Sequence, residues 1–165
     1  MSDYITYEQL VEALSYDPET GVFTWLISPA RIVRAGSVAG TRATTGYIDI
    51  GFKQKTYRAH RLAWLYMTGR MPALDIDHIN GVRDDNRFEN LREVDRSTNM
   101  QNIRRPGVKN KSGYLGVSVD RWDGKWIAQI TVNGEKVFLG RHESPELAAA
   151  AYIEAKRRLH PGCTI

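Results

Sequence analysis

The sequence predicts an α+β fold. It places a small antiparallel-sheet region at the N-terminus, a strand–loop–strand–helix core in the middle, and a separate three-stranded antiparallel sheet plus one helix at the C-terminus. Three observations support this. Short apolar runs punctuated by turn residues fill residues 1–58 and recur after residue 113. The stretch Asp75 to Asn102 reads as strand, loop, strand and helix. Helical periodicity is confined to a few segments with marked ends. A chain of 165 residues forms one or two small domains, and its 42% hydrophobic content is enough for modest cores. The expected divisions are 1–58, 59–102, a basic linker at 103–112, and 113–165.

Thr6 to Leu14 reads as a short helix, with Thr6 as cap and Leu10, Val11 and Leu14 on one side. Tyr16 to Gly21 is a turn, and Val22 to Leu26 is strand-like. Pro29 to Gly36 is a loop carrying Arg31 and Arg34. Ser37–Gly40, Tyr47–Ile50 and Thr56–Arg58 read as further short strands, with turns at Gly46 and at residues 52–55. The resulting sheet is expected to buttress the cleft of the middle region. Arg31, Arg34, Arg42, Lys53 and Lys55 are either backbone-phosphate contacts or ordinary solvated surface. Ala59 to Thr68 is a helix that Gly69 stops and Pro72 cannot continue. His60, at its start, is expected to be a structural hydrogen-bonding residue or a phosphate contact.

From Asp75 the character changes. A short apolar run ends at Asp77-His78. Gly81 to Asn86 is turn chemistry, and Asn90 to Val94 pairs back as a second strand. Asp95 or Ser97 then caps a helix that holds Asn99 in its first turn or two. This order predicts that Asp77, His78, Asn90 and Asn99 meet in one cleft. Asp84 and Asp85 read as solvated turn acids, Asn86 as a loop brace, Asn80 and Asn102 as turn and helix-surface residues.

Ile103 to Ser112 holds Arg104, Arg105, Lys109 and Lys111 with no acid, and Pro-Gly marks it as a linker. Beyond it, residues 115–119, 125–132 and 136–140 look like three strands, with hairpin turns at Asp123-Gly124 and Asn133-Gly134. Alternation sends Trp126, Ala128, Ile130 and Val132 one way, and Lys125, Ile127, Gln129 and Thr131 the other. Ser144 caps a final helix with Pro145 at its first position. Leu147, Ala148, Ala151, Tyr152, Ala155 and Leu159 form its stripe, and Lys156, Arg157 and Arg158 suit its C-terminal end. His142 and His160 read as surface residues.

Net charge is +4, with all the basicity in the last third: residues 103–165 carry eleven basic and six acidic groups, while residues 60–102 carry six and seven. That asymmetry favours a polyanionic partner. Cys163 is the lone cysteine, which excludes an intrachain disulfide and a cysteine-rich zinc knuckle. The N-terminus lacks a basic-then-apolar signal and no run approaches a membrane span. The expectation is a soluble, cytoplasmic protein without membrane contact, monomer or homodimer.

The motifs D-H-I-N-G at 77–81, N-R-F-E-N-L-R at 86–92 and S-T-N-x-x-N at 97–102 resemble the HNH nuclease family, in its ββα-metal subgroup common among homing endonucleases. The resemblance makes His78 the first motif histidine and Asn90 the motif asparagine. Asn99 stands where the family has a second histidine or an asparagine, giving a His-Asn-Asn variant. It implies a ββα-metal hairpin core, hydrolysis of DNA phosphodiesters, and one divalent metal, Mg²⁺ or Mn²⁺. Asp77 and Asn99 supply hard oxygen ligands for such an ion, and His78 accepts the water's proton. Asn90 holds the hairpin or the His78 ring, and Arg83, Arg87 or Arg92 clamps a phosphate. A phage or intron origin, and so a phage-infected bacterial host, is implied on the same ground.

Further on, Y-L-G-V at 114–117, R-W-D-G-K-W-I-A-Q-I at 121–130, F-L-G at 138–140 and E-L-A-A-A-A-Y at 146–152 resemble the DNA-binding domain of plant ethylene-response factors. That family sets the outer face of its sheet in the major groove of double-stranded DNA. Carried across, Arg121, Lys125, Gln129 and Thr131 contact DNA, with Trp122 or Trp126 packing on the sugar-phosphate; the alternation equally allows Trp126 in the core. The basic linker is expected to track a groove. Two other readings are a non-catalytic sequence-specific DNA-binding regulator, and a nuclease for RNA or for damaged or branched DNA.

Overall fold

The computed structural model describes residues 5–107 and 109–165. Residues 1–4 of the expected N-terminal region and Val108 of the expected linker lie outside the described residues. The fold is mixed α and β with small antiparallel sheets. Backbone contacts divide the chain into two compact units, Met1–Asp95 and Arg96–Ile165. Among the described residues, no helix is long and apolar enough to cross a membrane.

In the first unit α1 spans Tyr7–Ala13. Thr6 Oγ1 accepts from the Gln9 amide while the Gln9 side chain accepts from the Thr6 amide, a reciprocal capping box. The helix ends one residue earlier than its periodicity suggests, because Leu14–Asp17 forms a strand, β1, pairing antiparallel with β2, Val22–Trp25. Both sides of that hairpin turn an apolar residue inward, Leu14 and Tyr16 against Phe23 and Trp25. The expected strand at residues 37–40 reduces to a single bridge, Thr24 to Val38, flanked by Gly36 and Gly40, both at positive φ. A second sheet follows in the order β3 (Thr41–Arg42), β4 (Ile48–Phe52), β5 (Lys55–Arg58). Lys53 and Gln54 both take positive φ to close the β4–β5 turn.

Helix α2, Ala59–Thr68, buries Leu62, Ala63 and Leu65 and ends at Gly69, whose φ of 71° provides the left-handed cap. The segment to β6 (Asp75–His78) is held by Glu93. Its Oε1 accepts from the amides of Ala73 (2.6 Å) and Leu74 (3.2 Å), while Oε2 pairs with Arg70. Strand β7, Leu91–Val94, pairs antiparallel with β6. One continuous core joins α1, the two sheets, α2 and this hairpin, through Leu10, Leu14, Phe23, Ile50, Leu62 and Ile76.

The second unit begins with α3, Arg96–Gln101, and continues with a sheet in the order β10 (Glu135–His142), β9 (Trp126–Val132), β8 (Val117–Val119). Asn133 and Gly134, at φ of 52° and 87°, make the two-residue turn between β9 and β10. A β-bulge between Phe138 and Gly140 shifts the register. Helix α4, Pro145–Leu159, is capped by Ser144 Oγ and packs on the sheet through Ala148, which clusters with Val117 and Ala128. Gly116 is required where it stands: a Cβ there would lie 2.0 Å from the Tyr152 ring. Four expectations are corrected in this unit. Leu147, placed on the apolar stripe, is 56% exposed, and Lys156, placed outside that stripe for its charge at the helix C-terminus, is 2% exposed. The Lys156 ammonium donates to the Ile103 carbonyl, and burial pushes its pKa down. His160 and Asn102 are buried, not surface. His160 Nε2 bonds the Thr131 carbonyl at 2.8 Å, and Asn102 Oδ1 accepts from Thr164 Oγ1 at 2.6 Å.

Candidate active site

The β6–β7 hairpin sets Asp77 opposite Arg92 and His78 opposite Leu91. Consecutive strand residues leave the backbone on opposite sides, and the two find different partners. Arg92 closes on Asp77 Oδ2 with Nε at 2.9 Å and Nη2 at 2.8 Å, and the carboxylate is buried. His78 is only 4% exposed. Its ring packs edge-on to His60 of α2 at 5.0 Å between centroids, and tilted against Tyr47 at 5.8 Å. Its Nε2 lies 3.2 Å from Asn86 Oδ1. Asn86 Nδ2 in turn donates to the Asp84 carbonyl, so the amide oxygen is the end that meets the ring. An acceptor there holds the proton on Nε2 and makes Nδ1 the basic nitrogen. Burial is the main influence on this histidine and pushes its pKa below the ordinary imidazole value, against the opposing pull of Asn86, Asp77, Asp85 and Asp84. A neutral imidazole held in one orientation suits a general base.

The loop that carries Asn86 is bound on both sides. Asn90 Oδ1 accepts from the Asn80 amide (2.9 Å) and its Nδ2 donates to the Asp85 carbonyl (2.8 Å), so Asn90 braces the hairpin and Asn86 the ring. Tyr16 of β1 donates its hydroxyl to the Asn86 carbonyl at 2.6 Å, and the Phe88 amide donates to the Pro18 carbonyl. Gly21, at φ 73°, presses on the same loop: a Cβ would sit 2.5 Å from the Arg87 nitrogen. The N-terminal hairpin therefore buttresses the loop, and the Y-D-P-E-T-G turn does so through Pro18 and Gly21.

Charge around the loop is mostly answered. Asp85 is pushed down to about 2, chiefly by Arg87, which also reaches Glu89. Arg42 pairs with Asp84 at 3.0 Å, and Arg58 with Asp49 at 2.8 Å. Arg83 differs. Among the described residues it has no carboxylate partner; it donates Nη1 to the Thr45 carbonyl at 2.8 Å and stacks over Tyr47, 5.1 Å from the ring centroid. Arg58 also lies over Tyr47, at 5.0 Å. Tyr47 and Arg58 are site residues that sequence reading passed over. An aromatic at the start of a strand after a glycine turn signals nothing until its neighbours are known.

His60 is buried, and among the described residues its Nδ1 has no hydrogen-bond partner. Burial first, then the nearby His78, Arg61 and Arg58, push its pKa down to about 3. The folded state thus refuses a proton that the unfolded chain accepts near pH 6.5. This histidine's contribution to stability is full above that value and drains as pH falls toward 3, at up to about 1.4 kcal/mol per pH unit. Urea unfolding at pH 7.0, 6.0 and 5.0 is expected to show stability falling with acid, and His60→Leu to flatten that fall. A His60→Leu slope equal to wild type contradicts the assignment.

Asn99 lies in the first turn of α3, half-buried, in the second unit. Among the described residues, no group of three or more His, Cys, Asp or Glu side chains is placed to hold a metal ion.

Residues 57–101 match the family model described as HNH endonuclease. The match takes in the end of β5, α2, the β6–β7 hairpin and α3, roughly a quarter of the chain. It supports a nuclease, a phosphodiester hydrolase, at the level of the family; HNH nucleases generally use a divalent metal. No solved structure matches the chain.

In the second unit, cross-strand pairing puts Ile127, Gln129 and Thr131 of β9 beside Arg141, Phe138 and Lys136 of β10, and Ser118 of β8, on the face away from α4. Phe138 is 58% exposed there; it is a third residue missed in the sequence, and β10's pairing with β9 is the signal that finds it. Trp122, in the β8–β9 turn, is 94% exposed, whereas Trp126 packs on the core. Arg121 is exposed and has no carboxylate partner among the described residues; Lys125 pairs with Glu143 at 2.6 Å. Of the linker cations, Arg104 is folded onto the Thr164 carbonyl at 2.9 Å, while Arg105, Lys109 and Lys111 are exposed.

Proposed function

We propose that the chain is a metal-dependent DNA endonuclease of the homing or phage type. In this reading His78 is the general base and the C-terminal sheet is the recognition module for double-stranded DNA. The observation that carries the reading is the His78 ring, buried and fixed by Asn86 within the segment that matches the nuclease family. His78 Nδ1 takes the proton of the attacking water. Asn86 keeps the ring in one tautomer, and Asn90 keeps the loop on the hairpin. Arg83 offers its remaining N–H donors to a phosphate oxygen.

The donor set fits a hard cation with few protein ligands. Asp77 offers a carboxylate, and Mg²⁺ or Mn²⁺ is content with one or two such ligands plus phosphate and water. Such an ion would supply charge neutralisation at the phosphate and at the leaving oxygen. Arg92 fixes the Asp77 carboxylate through Oδ2.

Arg121, Trp122, Lys125, Gln129 and Thr131 make the recognition contacts, joined by Phe138; Arg105, Lys109 and Lys111 add phosphate contacts. Arg121→Ala is expected to weaken DNA binding and to lower the slope of log affinity against log salt by about 0.9. Lys125→Ala should lower it less, because Glu143 already answers that charge. Anisotropy titrations over a series of KCl concentrations measure both. The whole proposal is tested by binding the chain to duplex DNA in EDTA and then adding Mg²⁺ or Mn²⁺. A shifted complex that converts to cut product on metal addition supports the endonuclease. A stable complex that metal never converts, on duplex, single-stranded or branched substrates, favours a binding-only regulator.

A further inference from the structure

Tyr47 stands at the centre of the first unit's functional face. Its ring touches His78 and His60, at 5.8 and 5.2 Å between centroids, and carries the Arg58 and Arg83 guanidiniums. The two cations are not equivalent. Arg58 spends its charge on Asp49. Arg83 is exposed, has no carboxylate partner among the described residues, and is anchored by the Tyr47 face and the Thr45 carbonyl. A guanidinium held over an aromatic ring keeps its charge and most of its fork of donors. The arrangement is a cation set out on a platform whose other edge is the ring of the base.

We propose that Tyr47 is a positioning residue of the cleavage site: it holds Arg83 at a fixed offset from His78, so that a DNA phosphate gripped by Arg83 presents its neighbourhood to the base. The inference rests on the endonuclease reading above and adds to it the residue that links phosphate grip to proton abstraction. Remove the ring and Arg83 keeps its charge but loses its place. Misplacement of about 1 Å costs on the order of 10- to 100-fold in rate.

The test is a double-mutant cycle on the full chain with wild type, Tyr47→Leu, Arg83→Ala and the double variant. Duplex binding is measured in EDTA across KCl concentrations, and cleavage in parallel with Mg²⁺. Arg83→Ala is expected to lower the salt slope by about 0.9. Tyr47→Leu should weaken binding in the same sense, and the double variant should be no worse than Arg83→Ala alone. Tyr47→Phe, which keeps the ring, should restore most of what Tyr47→Leu loses. Additive losses, or Tyr47→Leu binding and cutting as wild type, overturn the proposal. If Tyr47→Leu does not fold, Arg83→Lys decides, since it keeps the charge and loses the planar stack. A kcat loss of about tenfold with the salt slope retained upholds the proposal, and a wild-type kcat overturns it. A wild type that binds but never cleaves sinks the endonuclease reading, while the binding cycle still decides whether Tyr47 sets Arg83.

Discussion

Asp77→Ala is expected to lose cleavage and stability together. The carboxylate is buried and holds two donors of Arg92, so its removal takes from that guanidinium the acid it grips. Breaking such a pair costs about 3–5 kcal/mol when both partners are fully buried. Arg92 keeps about a quarter of its side chain in solvent, and roughly 2 kcal/mol is the discounted figure. A unit of this size then melts roughly 10 °C lower. Cleavage should fall by at least about 10²-fold, the scale of removing one preorganised electrostatic group. Asp77→Asn separates the effects: it keeps the shape of the contact and should recover part of the stability while cleavage stays low. Thermal unfolding and a metal-dependent cutting assay on both variants check this. Full cleavage by a folded Asp77→Ala contradicts the ligand assignment.

His78→Ala is the larger kinetic effect. Loss of a positioned general base costs about 10²- to 10⁴-fold, and DNA affinity in EDTA should change little, since the buried ring is not a phosphate contact. The pH profile carries its own signature. Burial lowers the pKa of His78, so the neutral, proton-accepting form persists to lower pH than an ordinary imidazole, and the acid limb of the wild-type rate should lie below about 6.5. An acid limb above that value would show that the base is not this buried histidine.

Much of the fold was legible because its signals are local. Thr6, Gly69, Asn133-Gly134 and Ser144-Pro145 specify their caps and turns within a few residues, and the structure uses each of them. What escaped depends on partners distant in sequence. Leu14 reads as the end of a helix and Tyr16-Asp17 as the start of a turn; their strand exists because Val22–Trp25 lies alongside. Lys156 belongs by charge to the C-terminal end of its helix, yet the Ile103 carbonyl draws it inward. The candidate site divides in the same way. Asp77, His78 and Asn90 announce themselves by residue type and order. Two polar roles were open between two asparagines, and only the geometry distributes them, Asn86 to the ring and Asn90 to the loop. Arg87 looked like a phosphate clamp from sequence, but Asp85 and Glu89 occupy its guanidinium, and Arg83, resting on Tyr47, is the better placed cation.

The most direct measurement is cutting of a supercoiled plasmid by wild type and by His78→Ala, each with Mg²⁺, Mn²⁺ or EDTA. Nicked or linear product from wild type that requires metal, with at least about 10²-fold less from His78→Ala, is the predicted result; nicked circles alone would report single-strand cutting. Equal product from the two proteins, or product undiminished in EDTA, would contradict His78 as the base of a metal-dependent nuclease.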